Sequence, residues 1–348
     1  TKENEFNLWK GYSYKPDPSG DCSLFLQHIK DNIADGDDEI YNYILAWMAN
    51  VIQNPDKRAG IALALIGEQG CGKSIFVNEF GELFGRHYKH ISNIDQLAGN
   101  FNAHLEDAVL VNSDESTWGG DKSYESQLKR MITEPTIRIE RKGIDSYEVR
   151  NYINLIMTSN NDWVFSAAPE ERRYFVTYVG DSKKQDREYF GKIMTQMKNG
   201  GREALLHYLQ NYDLTGIDLT KVPVTTALLD HKIESLPVVG KFWYDILKKG
   251  YLGCRLDGKD HYQDWDDGSI ECETLFRLYK EFCKERSIKF YMTNSEFGKH
   301  IRKYAPEFLD KKRRGSNNNR VQYYLFPELE ICRDYFEGLL GHEIEWEK

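Results

Sequence analysis

Residues 67 to 74 read GEQGCGKS, and their types and spacing are those of a loop that binds the phosphates of a nucleotide. In such a loop the backbone N–H groups of a glycine-rich turn surround the phosphates, and a lysine neutralises the terminal ones. Lys73 is that lysine, and Ser74 offers a hydroxyl to Mg²⁺. We therefore expect ATP and Mg²⁺ to bind here, with the phosphates held by Gly67, Glu68, Gln69, Gly70, Cys71, Gly72, Lys73 and Ser74.

A pair of carboxylates follows the apolar run in AVLVNSDEST. Asp114 would support the metal ion, and Glu115 would orient or deprotonate the attacking water. Adjacent acidic residues after a strand also occur as a solvated surface pair. Their position downstream of a phosphate loop favours the catalytic interpretation.

Two further polar groups lie at the boundaries of apolar runs. Asn160 follows the strand pattern NYINLIMTS, where an amide can hold a water or a phosphate oxygen without adding charge, although alone it would indicate only a turn. Arg172 and Arg173 precede YFVTYV, and either could stabilise charge on the transferred phosphoryl group, often across a subunit boundary. The alternative for each arginine is an exposed ion pair with Glu170 or Glu171.

The elements that must position these residues follow from the hydrophobic pattern. Between residues 61 and 178, short apolar runs alternate with longer amphipathic or polar stretches, which predicts an α/β fold with a P-loop core, a parallel sheet with flanking helices. IALALIG is the predicted strand before the phosphate loop, and SIFVNEFGELFG is the helix after it. Two helical patterns precede the core, CSLFLQHIKDNIA and DEIYNYILAWMANVIQ.

These patterns predict three regions. Residues 1–58 form an N-terminal helical region, 59–212 the ATPase core, and 213–348 a C-terminal helical module of winged-helix type. The last region contains helical patterns at roughly 225–249, 271–286 and 294–304, then a basic loop KKRRGSNNNR and an apolar strand VQYYLF. The acidic stretch between 257 and 267 is predicted to be a solvated loop.

The composition of the 348 residues excludes several classes of protein. Hydrophobic residues make up 40%, and no run of roughly eighteen apolar residues predicts a membrane span. The six cysteines are widely spaced without a CxxC pair, so neither a zinc site nor a disulfide framework is indicated, and a reducing cytoplasm is expected. The chain begins at Thr1, and we expect it to be part of a longer polypeptide.

The order of these elements, with LKRMITEPTIRIERKG, MTSNND, ERRYFV and VPVTTALLDHK, resembles the superfamily 3 helicases of viruses and phages, which are AAA+ ring motors. The resemblance is greatest to the phage primase-helicase family related to the poxvirus primase-helicase, in which this module follows a primase or primase-polymerase domain. It covers residues 6 to about 240 well and the winged-helix part loosely. One departure is NSDE, in which Asn112 and Ser113 replace the usual apolar residues before the carboxylates.

The resemblance implies a role for each matched residue of the site. Lys73 and Ser74 would bind the triphosphate and Mg²⁺, and Asp114 would support the metal. Glu115 would activate water, and Asn160 would sense the γ-phosphate.

The resemblance also implies an assembly. Arg172 or Arg173 would act as a finger that reaches into the site of a neighbouring subunit, within a homo-oligomeric ring expected to be a hexamer. The N-terminal helices would form the collar of that ring, and a primase or polymerase domain would precede them on the same polypeptide.

Two basic segments of this acidic chain, whose net charge is −9, are candidates for contact with single-stranded DNA. TIRIERKGIDSYEVR predicts a hairpin that the resembling helicases drive into the pore of the ring, with Arg141, Lys142 and Gly143 at its tip. Residues 295–320 carry eight basic and three acidic side chains. A helix and a wing there could touch phosphates through Lys299, Lys312, Arg313 and Arg314, or both segments could be solvated surfaces.

The function that this combination favours is an ATP-dependent helicase or translocase acting on single-stranded DNA in phage or mobile-element replication. Movement from 3′ to 5′ is implied by the resemblance alone. Two alternatives stay open: an ATP-gated replication initiator or loader with little unwinding, and a small-molecule phosphotransferase that uses the same loop.

Overall fold

The computed structural model describes residues 7–92, 96, 101–114, 122–161, 171–256, 259–265, 268–289, 292–305, 310–314 and 321–346. The described residues fall into two units, the first ending at His231 and the second beginning at Lys232. The three-part division predicted from the sequence, with boundaries at 58 and 212, stays a prediction.

The chain enters the first unit through two helices, as the sequence predicts. Helix α1, Ser23–His28, continues into a single π-helical turn, Ile29–Ile33, and α2 spans Asp38–Gln53. Asp37 caps α2 by accepting a hydrogen bond from the N–H of Ile40 at 2.9 Å. The apolar face of α2 is buried, and the indole of Trp47 donates to the carbonyl of Ile61 at 2.9 Å. This bond ties α2 to the segment that opens the central sheet.

The first unit is a mixed α/β structure built on a five-stranded parallel sheet. The described residues of this unit form seven strands: β1 Ala62–Ile66, β2 Tyr88–Ile91, β3 Leu110–Asp114, β4 Thr136–Arg141, β5 Ile144–Arg150, β6 Asn154–Ser159 and β7 Tyr174–Tyr178. The sheet order is β2-β3-β6-β1-β7, and every neighbouring pair in it is parallel. Strands β1 and β6 are buried at every residue, as expected for central strands covered on both faces. The phosphate loop therefore leaves the sheet from its interior.

Four helices complete the described part of this unit after α2: α3 Lys73–Glu82, α4 Lys122–Thr133, α5 Arg187–Gln196 and α6 Arg202–Gln210. Helix α3 is held to α6 by an ion pair, in which the guanidinium of Arg202 donates to both oxygens of Glu79 at 2.8 and 3.1 Å. The hydroxyl of Tyr14 accepts a third bond from Arg202 at 2.7 Å. The helix that follows the phosphate loop is thereby anchored from outside the sheet.

The second unit begins within α7, Thr226–Ser235, and contains most of the predicted C-terminal helices. These are α8 Val238–Lys249, α9 Cys272–Glu285, α10 Asn294–Ile301 and α11 Leu329–Leu340. The strands among its described residues are β8 Tyr251–Leu256, β9 Lys259–Asp264, β10 Ser269–Glu271, β11 Asp310–Arg314 and β12 Val321–Leu325. Aromatic rings fill its core, among them Trp243, whose ring centroid is 5.9 Å from that of Trp265.

Two loop predictions for this unit are wrong. The acidic stretch 257–267 contains β9, which pairs antiparallel with β8, because backbone pairing along a hairpin outweighs a polar composition. Residues 311–314, expected in the basic loop KKRRGSNNNR, belong to β11, which pairs with β12 in a three-stranded sheet of order β10-β12-β11. Among the described residues no helix has both the length and the apolar composition to cross a membrane.

Candidate nucleotide-binding site

The phosphate loop, residues 67–72, joins the buried end of β1 to the first residue of α3. Gly67 continues the sheet for one step, since its N–H donates to the carbonyl of Ser159 at 3.1 Å. Gly70 and Gly72 have φ values of +84° and +100°, a left-handed conformation that glycine adopts without steric cost. The strand-loop-helix order predicted from the sequence is therefore present, with two glycines where the turn requires them.

Lys73 lies inside the loop, and its side chain is buried. Its ammonium group donates to the carbonyls of Gly67 at 2.6 Å and Glu68 at 2.9 Å, and to Oδ1 of Asn160 at 3.0 Å. The predicted lysine and the predicted sensor amide are therefore in direct contact. Parallel pairing of β1 with β6 produces this contact, because Ile66 and Ser159 are partners and the next residues of both strands leave the sheet at one edge.

Asp114 ends β3 at the same edge. The hydroxyl of Thr158 on β6 donates to Oδ1 of Asp114 at 2.6 Å, which fixes one carboxylate oxygen. Oδ2 lies 3.9 Å from Nε2 of His90 on β2. Ser74, the other predicted metal ligand, is exposed in the first turn of α3. Glu115, the predicted activator of water, lies outside the described residues.

The departure from the family pattern before Asp114 has a local role in the structure. Asn112 and Ser113 are buried on β3, where apolar residues would be usual. The amide of Asn112 lies 3.1 Å from Nδ1 of His90, the residue opposite it on β2. A polar residue is accommodated in this strand because the edge strand beside it presents a polar partner.

Contacts that the sequence did not predict brace the phosphate loop from the side away from the sheet. Asn32, from the π-helical turn after α1, donates its amide to the carbonyl of Cys71. Nε2 of His28, on α1, lies 3.3 Å from the carbonyl of Gly72, and Gln185 donates its N–H to the carbonyl of Gly70 at 3.0 Å. No motif marks these residues, because each acts through its place in the fold and not through its spacing from the loop.

The two predicted finger arginines lie at the opposite edge of the sheet. Arg173 immediately precedes β7, and its carbonyl accepts from the N–H of Ala62, the first residue of β1. The loop follows the last residue of β1, about 13 Å away at the usual rise per residue of a strand. Arg172 and Arg173 are therefore separated from the phosphate loop of their own chain by the length of the sheet.

The two arginines also differ from each other. Arg173 donates to both oxygens of the buried Glu171 at 3.1 and 3.2 Å, so the ion pair considered as the alternative is present for this residue. Arg172 is exposed, and its guanidinium has no carboxylate within 4 Å among the residues that the structure describes. Arg172 is thus the freer of the two cations.

The predicted hairpin is formed by β4 and β5, with Lys142 and Gly143 in its turn. Gly143 has a φ of +77°, and Lys142 is exposed. Arg141 forms an ion pair with Glu106, which also accepts from the hydroxyl of Tyr147 at 2.8 Å. Arg141 is therefore held against the body of the unit, and Lys142 is the cation that projects at the tip.

The basic residues predicted to touch DNA in the second unit lie on two of its elements. Lys299 is exposed near the end of α10, a helix that begins with a capping box between Thr293 and Glu296. Lys312, Arg313 and Arg314 lie on β11, opposite Tyr323, Gln322 and Val321.

Comparison with known proteins finds similarity to a family of unknown function and to a phage primase-polymerase. A family of unknown function, DUF5906, matches residues 65–173, which span the phosphate loop to the arginine pair. The DNA primase-polymerase of Nitratiruptor phage NrS-1 is 24% identical over 225 residues, which are 64% of this chain and 30% of that protein. The chain thus spans less than a third of this relative's length.

Solved structures show the same fold. Two apo structures of the NrS-1 C-terminal region superpose with TM-scores of 0.65 and 0.64 at 18% sequence identity. In both cases the alignment covers 90% of this chain and 78% of the solved chain. The arrangement of elements is therefore shared across nearly the whole length described.

Proposed function

We propose that this chain is an ATP-driven motor that moves along single-stranded DNA as part of a phage-type primase-polymerase. The observation that carries the proposal is the division of the site. Lys73, Asp114 and Asn160 meet at one edge of the sheet, whereas the arginines suited to complete the reaction lie at the other edge. A site divided in this way is completed when a second copy supplies its arginine.

The loop residues fit a nucleoside triphosphate with Mg²⁺. Lys73 is anchored by neutral carbonyl and amide oxygens that a phosphate, with its full charge, can replace. Oδ2 of Asp114 and the hydroxyl of Ser74 are oxygen donors of the kind that Mg²⁺ prefers. When bound, the ion would neutralise charge on the phosphates, and Glu115 would orient the attacking water. Asn160, linked to Lys73, would report whether a γ-phosphate is present.

The arginine finger is best assigned to Arg172. Arg173 is occupied by Glu171, and breaking that pair would leave a buried carboxylate without its strongest charged partner, since the ammonium of Lys129 lies 3.9 Å away. An arginine at the start of β7 can approach a nucleotide only in another subunit, so the motor would be a ring of superfamily 3 and AAA+ type, expected to be hexameric. The N-terminal helices would form its collar and the second unit a winged-helix module.

DNA would contact the ring through its exposed cations. Lys142 at the hairpin tip would follow the phosphate backbone in the pore, with Gly143 giving the turn and Arg141 fixing the hairpin through Glu106. In the second unit the contacts would be made by Lys299, Lys312, Arg313 and Arg314. Similarity to a phage primase-polymerase supports a role in replication, with a primase or polymerase domain on the same polypeptide and action in the host cytoplasm.

Two rival functions make different demands on the same residues. An ATP-gated initiator or loader needs nucleotide binding but not hydrolysis, so Glu115→Gln would leave its output intact while it abolishes strand separation by a helicase. A small-molecule phosphotransferase would turn over nucleotide without regard to DNA. The separation of Arg172 from its own loop counts against the phosphotransferase, which completes its site within one chain.

One experiment tests the proposal directly. ATP turnover is measured with and without single-stranded DNA, while the mass of the assembly is determined in the same conditions by light scattering. We expect a multimer in the presence of ATP and DNA, with turnover that DNA stimulates severalfold. A monomer whose turnover ignores DNA would refute the motor and favour the phosphotransferase.

A further inference from the structure

Three successive carbonyls of the phosphate loop are bound by donors outside the loop. The carbonyl of Gly70 accepts from the N–H of Gln185 at 3.0 Å, and that of Cys71 accepts from the side-chain amide of Asn32. The carbonyl of Gly72, which also accepts from the N–H groups of Ile75 and Phe76 in the first turn of α3, lies 3.3 Å from Nε2 of His28. Two of these donors, His28 and Asn32, are thus side chains of the N-terminal segment, on or directly after α1.

Because the peptide group is planar, these contacts also fix the direction of the N–H groups on the opposite face of the loop. In a trans peptide the C=O and the following N–H point in opposite directions. Holding the carbonyls of residues 70, 71 and 72 outward therefore turns the N–H groups of Cys71, Gly72 and Lys73 inward. None of these three N–H groups has a hydrogen-bond acceptor among the described residues. They form a concave set of donors suited to an anion.

The contact of His28 requires one defined tautomer. A carbonyl can only accept, so Nε2 must carry the proton that points at Gly72. Nδ1 of the neutral ring must then accept, and the hydroxyl of Tyr189 lies 3.2 Å from it. Burial lowers the pKa of His28 to about 4, so the ring is neutral near pH 7 and donates through Nε2 alone. The carbonyl of Gly72 selects this tautomer, and the hydroxyl of Tyr189 stabilises it by donating to Nδ1.

The packing leaves the loop little freedom to turn away. His28 and Asn32 are fully buried. A Cβ at Gly72 would lie 2.6 Å from Cε1 of His28 and 2.8 Å from a ring carbon of Phe190, so the two rings enclose the glycine closely. A peptide rotation at residue 72 would have to displace both rings.

We infer that His28 and Asn32 are positioning residues that preorganise the phosphate loop for a triphosphate, so that the N-terminal helical segment sets nucleotide affinity. This inference rests on the proposed function, since it concerns the same loop. Preorganised donors increase affinity because the cost of ordering them is met during folding and not on binding. The effect should therefore appear in the dissociation constant of the nucleotide and in KM, while kcat at saturation changes little.

The test compares donors with matched apolar replacements in the full chain. Equilibrium binding of a fluorescent ATP analogue with Mg²⁺ is measured for His28→Leu, Asn32→Leu and His28→Gln. We expect the two leucine variants to bind about tenfold more weakly, because they remove a donor and keep most of the bulk. Glutamine keeps a donor N–H, so His28→Gln should restore affinity to within about threefold of the native chain. Hydrogen exchange of the peptide covering residues 67–76 should accelerate in the leucine variants only.

A milder substitution keeps the test valid if the leucine variants of His28 and Asn32 unfold. Tyr189→Phe removes one oxygen and with it the hydrogen bond to Nδ1 that stabilises the tautomer and orients the ring, and it should weaken binding by about threefold with an unchanged thermal midpoint. Gln27→Ala, an exposed neighbour on the same helix, is the control that should bind normally. Native affinity in folded leucine variants and in Tyr189→Phe would overturn the inference. If Lys73→Ala also bound normally, the proposed function itself would fail, so the two failures are distinguishable.

Discussion

At the carboxyl edge of the parallel sheet, Lys73, Asp114 and Asn160 are each held by a neighbour on another strand or in the loop. At the amino edge, Arg173 is paired with Glu171, and Arg172 projects into solvent. At the first edge Lys73 is buried, and all three side chains are held in place by hydrogen bonds. The second is open, and the guanidinium of Arg172 has no carboxylate within 4 Å among the residues that the structure describes.

This difference indicates how the proposed site is shared. Each copy of the chain supplies the carboxyl edge to its own site and the arginine to the site of a neighbour. Groups that must be fixed before a phosphate arrives are held by hydrogen bonds within one subunit, and these bonds determine their geometry. A group that must enter a site from outside is left exposed at the far end of the sheet. Variants at each edge test whether the two edges do belong to one reaction.

The largest effect is expected for the arginine at the amino edge. Arg172→Ala should lower DNA-stimulated ATP turnover by about 10³-fold, the lower end of the range for arginine fingers. In mixtures, Arg172→Ala subunits combined with Lys73→Ala subunits should recover part of the activity, because some interfaces then pair an intact loop with an intact arginine. Turnover of the two variants is assayed separately and mixed.

Arg173→Ala is the matched control for this mixing test. It removes a cation from the neighbouring position, but it also leaves the buried carboxylate of Glu171 without its strongest partner, so we expect lower stability. Mixing it with Lys73→Ala should restore nothing beyond the separate activities. If turnover recovered with Arg173→Ala and not with Arg172→Ala, Arg173 would be the finger. If turnover recovered with neither variant, no arginine of this pair would act as a finger across the interface.

The next effect concerns the carboxyl edge. Lys73→Ala should reduce turnover by about 10²–10³-fold, because it removes the one ammonium aimed at the phosphates. Asn160→Ala should have a smaller effect, about tenfold, since an amide contributes hydrogen bonds without charge. Steady-state kinetics on both variants checks the order.

Lys142→Ala should keep turnover without DNA at the native level and lose its stimulation by DNA, which separates the hairpin from the hydrolytic edge.

The smallest effect is a pH dependence of stability that belongs to the carboxyl edge alone. Burial lowers the pKa of His28 to about 4, below the usual value of about 6.5, so the unfolded chain binds its proton first as the pH falls. The contribution of neutral His28 to the free energy of unfolding is complete above pH 6.5. It is lost as the pH falls from 6.5 to 4, and the loss is at most about 3 kcal/mol. Asp31 opposes the shift, and the hydroxyl of Tyr189 faces the ring. Urea unfolding across this range measures it.

His28→Gln should flatten that pH dependence, because glutamine does not titrate, while it preserves the contact with the loop. A half-buried histidine on α6, His207, changed to Gln is the comparison and should leave the slope unaltered. Equal slopes in the native chain and in His28→Gln would show that other groups govern stability in acid.

Much of the site could be predicted from the sequence, since a phosphate loop is recognised by residue types at fixed spacing. Gly67, Gly72 and Lys73 needed only local order for their placement, and short buried strands such as β1 and β6 follow from apolar runs of the right length. The hairpin of β4 and β5 was predicted from alternation around Gly143. The β8–β9 hairpin was missed, because its polar residues carry no alternating pattern.

By itself the sequence determined that a phosphate loop stands between a strand and a helix, because those signals extend over only a few neighbouring residues. Only the tertiary structure decided which side chains meet. The parallel order β2-β3-β6-β1-β7 brings Asn160 to Lys73 and Thr158 to Asp114, and it sends Arg172 to the far edge. Burial against the loop gave His28 and Asn32 their contacts across 39 or more positions of chain. Contacts at such separations depend on how packed elements are arranged in space, which no local pattern encodes.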